Sequence, residues 1–366
     1  MSTRRMLLKQ LGLGLAGLSS LPLKSFALEA EFLGKYLPNG SPIRLSSNEN
    51  PYGPSPEAIK AMQAKIVLSN RYNWDLGNAL RESLALKNQV SADNILLGAG
   101  STEMLGLILR FAAQKKGNII LPEPSYNYWA EAAPLLGLQN ISVPLTKKKE
   151  VELSSILKKM NLSTRLIYIC NPNNPTGTVC DHAGLTAFIK EASKKALVLV
   201  DEAYIEYSGQ PSVCHLVKEN KNLAVVRTFS KVHGLAGARV GYVIAHAATI
   251  EKFSQLQPWP NGSTSAVSLA AALASLKDEA FSNESKLKNE AAKLYTIAEL
   301  EKIGLPCIPS SSNFLYFSLA NYKDDYFNRL KNRQIAGTKF YEEAGKWTRI
   351  TIGTMEEMQQ FIAALV

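Results

Sequence analysis

From residue 94 onward, short apolar runs alternate with polar, glycine-rich breaks and helical stretches. The runs cover 94–97, 118–121, 141–143, 166–170, 196–200, 223–226 and 240–245. Each is apolar at successive positions, as expected for strands covered on both faces. The pattern predicts an α/β fold with a mostly parallel, seven-stranded sheet sandwiched by helices. Ligands of such sheets bind beyond the carboxyl ends of the strands. The unusual residues of this chain collect there: Gly98–Thr102, Pro122–Tyr126, Asn171–Gly177, Asp201–Tyr204 and the stretch leading to Lys231. One pocket fed by five loops is the expectation.

Beyond about Ala274 the pattern changes. A long polar helical stretch, 279–303, ends at Gly304-Leu305-Pro306. Shorter strands follow at 314–318 and 349–352, then a last helix from Met355. This predicts a smaller α+β domain made of 275–366 together with 28–56, beside a large domain over 57–274.

The first 27 residues read differently. Arg4, Arg5 and Lys9 precede a glycine-rich apolar run at 11–18, and Ser25-Phe26-Ala27 offers a small-x-small exit. That is the layout of a secretory signal, and the paired arginines resemble a twin-arginine address. Export to the periplasm is expected, with the cytoplasm as the alternative. The apolar run is too short to span a bilayer, so no stable membrane insertion is expected. Gly12, Gly14 and Gly17 match a dinucleotide fingerprint as a string, but no strand precedes them, so they are not read as a nucleotide site.

Composition narrows the classes further. The chain has 366 residues, 46% hydrophobic, enough for one large domain or two modest ones. Its net charge is +10. The leader contributes Arg4, Arg5, Lys9 and Lys24 to this and no acid, and the remaining charge is dispersed. Without a basic stripe interleaved with aromatics, nucleic acid is excluded as a partner. Cys170, Cys180, Cys214 and Cys307 show no Cys-x-x-Cys spacing, so free thiols are expected and no metal site.

The chemistry concentrates in 228–242. Lys231 follows Ser230 just past a buried strand, and Arg239 lies eight residues on. A lysine amine held in a pocket forms a Schiff base with a carbonyl. Helix-start N–H groups with a firm cation hold a phosphate. Pyridoxal phosphate carries both groups. Spacing alone leaves a solvated surface lysine open as the alternative. Asp201, ending a buried strand, is a candidate to keep the cofactor's ring nitrogen protonated, or else a turn residue. Tyr204 and Asn174 are candidates for its phenolic oxygen. Ser101 and Thr102, opening a helix after a strand, suit the phosphate, with Ser230 and Arg239 as side-chain partners. Tyr126 is a candidate to stack on the ring, or a core aromatic. Displaced by substrate, Lys231 would also move the proton. Arg349 is a candidate bidentate grip on a substrate carboxylate, or an exposed edge-strand residue.

These segments also carry a resemblance. They are 45–53 (LSSNENPYG), Asn70-Arg71-Tyr72, 98–103, 124–128, 171–177 (NPNNPTG), 201–204 (DEAY), 228–241, Asn313-Phe314 and 349–354 (RITIGT). Each is weak alone; together they are specific and span nearly the whole chain after the leader. The chain resembles the fold type I, class I/II aminotransferases that use pyridoxal phosphate, and most of all the histidinol-phosphate aminotransferase branch. The resemblance implies Lys231 as the Schiff-base lysine and Asp201 at the ring nitrogen. It implies Tyr204 and Asn174 at the ring oxygen, Tyr126 over the ring, and Ser230 and Arg239 on the phosphate with Ser101 and Thr102. Arg349, Asn48 and Asn313 are implied on the substrate. A homodimer with shared sites is implied, in which Tyr72 reaches the phosphate of the partner's cofactor. The expected reaction moves an amino group between L-histidinol phosphate and a 2-oxo acid such as 2-oxoglutarate, within histidine biosynthesis. Aromatic or other amino acid donors, and a decarboxylase or lyase reaction on the same fold, are the alternatives. There is one departure: the branch's second arginine, ahead of the Arg349 motif, is missing from 334–339, where Lys339 is the candidate substitute. An export address is also unusual for that pathway.

Overall fold

Seven apolar runs pair into one sheet in the computed structural model, which describes residues 42–366; the twin-arginine-like leader lies outside the described residues. A short strand, β1 (Ile43–Arg44), comes first. The main sheet is then built from β2 (Ile95–Gly98), β3 (Gly117–Glu123), β4 (Leu138–Pro144), β5 (Thr164–Cys170), β6 (Leu197–Asp201), β7 (Leu223–Thr228) and β8 (Gly241–Ala245). Their order across the sheet is β2-β8-β7-β6-β5-β3-β4.

Side chains alternate between faces along a strand, and here both faces are dry. Ile167, Ile169, Val198, Val200 and Val225 belong to one core. Leu166, Tyr168, Leu197, Leu199, Ala224 and Val226 belong to the other. No position in the central strands is left for a solvent-facing polar residue, which is why the sequence runs are continuously apolar.

The β3–β4, β3–β5, β5–β6 and β6–β7 pairs are parallel. Strand β8 is antiparallel to both of its neighbours, β2 and β7. The reason is local. No helix lies between Thr228 and Gly241, and a parallel partner would need a crossover. The reversal matters for the site, because the start of β8 now adjoins the carboxyl ends of β2 and β7.

The remaining strands are β9 (Cys307–Ile308), β10 (Phe314–Ser318), β11 (Ile335–Ala336), β12 (Phe340–Glu342) and β13 (Trp347–Thr351). Four of them form an antiparallel sheet in the order β12-β13-β10-β9. Strand β1 pairs parallel with β11, and Thr351 N donates to Leu45 O at 2.9 Å, tying 43–45 to this region. The last helix, Met355–Leu365, starts with a capping box from Thr354 and Glu357. It buries Phe361 against Leu315, Phe317 and Ile350 in a third core. Residues 43–366 pack as one unit.

Among the described residues, no helix is long and apolar enough to cross a membrane. None of their His, Cys, Asp and Glu side chains cluster in a way that could hold a metal ion. The four cysteines are unpaired.

Candidate active site

Five loops at the carboxyl ends of β2, β3, β5, β6 and β7 converge on a cavity of about 220 Å³. Ser101, Thr102, Tyr126, Asn174, Asp201, Tyr204, Ser230, Lys231 and Arg239 all line it.

One end is built for an anion. Helix Ser101–Ala112 starts at Gly100, whose φ of +85° lets the chain turn sharply out of β2. Its first N–H groups are free of intrahelical partners and carry the positive end of the helix dipole. A Cβ on Gly100 would lie 2.3 Å from Arg239 Nη2, so the guanidinium rests directly against the helix start. A Cβ on Gly241 would lie 2.3 Å from Ser101 N, so β8 backs onto the same turn. The reversed strand is what delivers Arg239 here. Arg239 Nη1 donates to Ala236 O at 2.9 Å and reaches Ser230 Oγ at 3.5 Å. Thr228 Oγ1 donates to Ser230 Oγ at 2.9 Å and orients that hydroxyl.

The other end holds an acid and an amine. Asp201 is 4% exposed. Its Oδ2 accepts from Tyr168 OH at 3.0 Å and its Oδ1 from Ala203 N at 3.1 Å. Burial raises its pKa from 3.8 to about 6, with the Tyr168 hydrogen bond opposing the rise. Burial lowers Lys231 from 10.5 to about 8, and the Arg349 charge acts in the same direction. Lys231 Nζ donates to Ser47 O at 3.3 Å and lies 5.4 Å from the Tyr204 ring centroid. Tyr204 OH accepts from Asn48 Nδ2 at 3.0 Å and Asn174 Nδ2 at 3.3 Å. Burial pushes its phenol well up, so it keeps a proton to donate. Burial also raises Tyr126, against the Thr102 hydroxyl.

Arg349 is buried rather than on an exposed edge. Its Nη1 donates to Asn174 Oδ1 at 2.6 Å and its Nη2 to Ser46 O at 2.5 Å, while Nε has no partner among the described residues. Phe314 and Tyr341 flank it, each ring centroid 5.3 Å from Cζ. Asn313 Nδ2 donates to Asn48 O at 3.0 Å and Glu49 O at 3.3 Å. It thereby holds the 47–49 segment at the cavity's edge. Arg349, Asn48 and Asn313 stand behind the lining, bonded to it, rather than in it.

Tyr72 does not join this group. It is 74% exposed and packs against Trp74 and Trp259, with centroids 5.9 and 4.8 Å away. Lys339 is exposed and likewise does not line the cavity. The sequence reading missed Ser47, Glu49, Cys170, Ala203, Thr228 and Ala236, which complete the lining. Ala203 and Thr228 stand two positions from Asp201 and Ser230, so strand-end position alone was their signal. Glu103 was also missed: its Oε2 accepts from Ala99 N at 2.5 Å and from Ser263 Oγ at 2.7 Å, pinning the helix start.

Pyridoxal phosphate fits what these residues leave unanswered. Among the described residues no cation bonds the buried Asp201 carboxyl, and a protonated ring nitrogen supplies one. The Arg239 guanidinium, laid on a helix start, suits a phosphate. Lys231, whose lowered pKa leaves part of it neutral, suits an aldehyde. Fold and cavity together define a pyridoxal-phosphate-dependent enzyme.

The chain belongs to the aminotransferase class I and II family, whose sequence profile matches residues 41–365. It is 35% identical over 327 residues to the histidinol-phosphate aminotransferase of Halalkalibacterium halodurans, covering 88% of each chain. It shares 35% identity over 359 residues with the histidinol-phosphate aminotransferase of Macrococcus caseolyticus, 96% of each. The crystal structure of histidinol-phosphate aminotransferase from Sinorhizobium meliloti, in complex with pyridoxal-5'-phosphate, matches the fold with a TM-score of 0.83. That match has 26% identity and covers 94% of each chain.

Proposed function

We propose that this transaminase takes its amino group from L-histidinol phosphate and passes it to a 2-oxo acid such as 2-oxoglutarate. The observation that carries the chemistry is that Lys231 and Asp201 line one cavity. The donor assignment is supported by relatives named histidinol-phosphate aminotransferase at 35% identity over most of the chain.

Pyridoxal phosphate supplies the electron sink for the substrate carbon that loses its proton. Lys231 anchors the cofactor at rest and, once displaced, carries the proton; a pKa of about 8 leaves part of it neutral for that task. Asp201 keeps the ring nitrogen charged. Tyr204 and Asn174 hold the phenolic oxygen, and Tyr126 covers the ring. Ser101, Thr102, Ser230 and Arg239 seat the phosphate. Arg349 receives the substrate's anionic end, while Asn48 and Asn313 fix the segment beside it.

A second reading, an aromatic amino acid donor, is favoured by one observation. Thr338 donates its hydroxyl to the Arg349 carbonyl, and Lys339 stays exposed, so neither adds a cation beside Arg349. A donor screen on the mature protein decides. Histidinol phosphate with 2-oxoglutarate is expected to exceed phenylalanine or tyrosine by about tenfold or more in kcat/KM. Faster turnover of the aromatic donors would replace the first reading with the second. Turnover independent of any oxo acid would remove transamination itself.

The same reading makes the protein a homodimer with shared sites. It is supported by the exposed Tyr72, Trp74 and Trp259, alongside Ile66 at 58% and Val67 at 80% exposure. Tyr72→Phe is expected to weaken cofactor retention by up to about tenfold, the worth of one hydrogen bond. Equilibrium dialysis measures this, and light scattering gives the mass. A fully active monomer at micromolar concentration would sink the shared site. Export through residues 1–27 belongs to the proposal too. An intact leader on protein found only in the cytoplasmic fraction would exclude it.

A further inference from the structure

An edge strand of three residues carries one wall of the Arg349 site. Strand β12 contributes Tyr341, whose ring, like that of Phe314, stands 5.3 Å from Arg349 Cζ. Its own ladder is thin. Among the described residues it pairs only with β13, through Phe340↔Thr348 and Glu342↔Trp347, and the register shifts between the two. A bulged three-residue edge is a weak support by itself.

The support comes from the loop after β4. Lys149 Nζ donates to both carboxylate oxygens of Glu342 at 2.8 Å. Tyr316 OH donates to Glu342 Oε1 at 2.7 Å. Burial and then Glu342 push the Tyr316 phenol well up, so it remains a donor. Lys149 Nζ also lies 4.6 Å from the Trp347 ring centroid, and Trp347 stacks on Tyr316 at 5.2 Å. The pair is shielded, with side-chain exposures of 15% and 27%.

Lys149 is itself held to the site. It occupies a left-handed turn position, φ 63°, and its carbonyl accepts from Thr178 Oγ1 at 2.8 Å. Thr178 bonds Thr176, and Thr176 accepts from Asn173 Nδ2 at 2.9 Å. The next residue, Asn174, is Arg349's own partner. The contacts therefore close a ring: Arg349, Asn174, the 173–178 turn, Lys149, Glu342, Tyr341 and back to Arg349. Neither Lys149 nor Glu342 lines the cofactor cavity.

We propose that Lys149 and Glu342 form a clasp that positions Tyr341 against Arg349, and so sets the affinity of the site for the substrate's anionic end. Both are positioning residues, acting through Tyr341 and the 173–178 turn. The proposal rests on Arg349 as the substrate anion site.

The test is steady-state kinetics on the cofactor-loaded enzyme, with 2-oxoglutarate varied. Lys149→Met and Glu342→Gln are each expected to raise KM on the order of tenfold, with kcat within about twofold and the visible cofactor band unchanged. Lys149→Arg keeps the charge and is expected to stay near wild type. The charge swap K149E/E342K is expected to recover most of the lost KM. If a single variant fails to load cofactor, the swap and Lys149→Arg decide. A folded swap with KM still raised, or single variants with unchanged KM, overturns the clasp. Arg349→Lys separates the two levels. If it leaves KM unchanged, the anion-site reading fails. If it raises KM while the clasp variants do not, only the clasp fails.

Discussion

Lys231→Ala is expected to lower transamination on the order of 10⁴-fold or more, since one side chain serves as both anchor and proton carrier. Folding should survive, because the side chain gives up a single 3.3 Å hydrogen bond, to Ser47 O, at a cavity wall. Two readouts are independent of turnover. Borohydride reduction of wild type should fix the cofactor to a Lys231 peptide, and the variant should yield none. The pH dependence of loading is the second. Burial lowers this amine to about 8, and only the neutral form attacks an aldehyde. Attachment to the wild-type apoprotein should therefore quicken roughly tenfold between pH 7 and 9 and flatten above. An ordinary lysine near 10.5 would still be climbing there. A variant retaining more than about a hundredth of wild-type turnover would sink the assignment.

What the sequence made legible follows from where each signal lives. The strands β5, β6 and β7 were readable because both faces are buried, so Ile167, Val198 and Val225 on one side and Leu166, Leu199 and Val226 on the other leave no polar gap. Three of the five loops were readable because glycine, proline or asparagine punctuates the strand end, and the other two because Asp201 and Lys231 put a charge directly at or after an apolar run. Strand direction was not readable: 240–245 looks like its neighbours, and only the helix-free connection after Thr228 reverses it. The reversal explains how Arg239 reaches the anion seat. Small neutral lining residues such as Ala203 and Cys170 have no chemistry of their own to announce them. The Lys149–Glu342 pair spans 193 positions, and no local pattern links its members. Lys339 marks the opposite case, where motif position pointed to the site and the fold holds the side chain outside the cavity.

Asp201→Asn is expected to lower kcat by about 10²–10³-fold while leaving the cofactor bound, because it removes one preorganised charge from a dry site and little shape. Asn keeps an oxygen for the Ala203 N–H, and the buried Tyr168 hydroxyl can accept from its amide. A second, opposite effect belongs to the apoprotein. Burial raises this carboxyl from 3.8 to about 6, with the Tyr168 and Ala203 hydrogen bonds and the Lys231 charge opposing the rise only in part. Between those values the unfolded chain has released the proton and the folded chain still holds it. The group's contribution to apoprotein stability is therefore full below about pH 4 and lost as pH rises through about 6. Asn cannot titrate, so the Tm of the apo variant should fall less over that interval than wild type. With cofactor bound the sign reverses, since a charged ring nitrogen favours the carboxylate. Holoenzyme Tm should then fall on acidification in wild type and much less in the variant. The pairing of lost rate with a gentler apo profile distinguishes an electrostatic partner from a turn residue. A turn residue would change stability at every pH and leave kcat near wild type, and that outcome would remove Asp201 from the site.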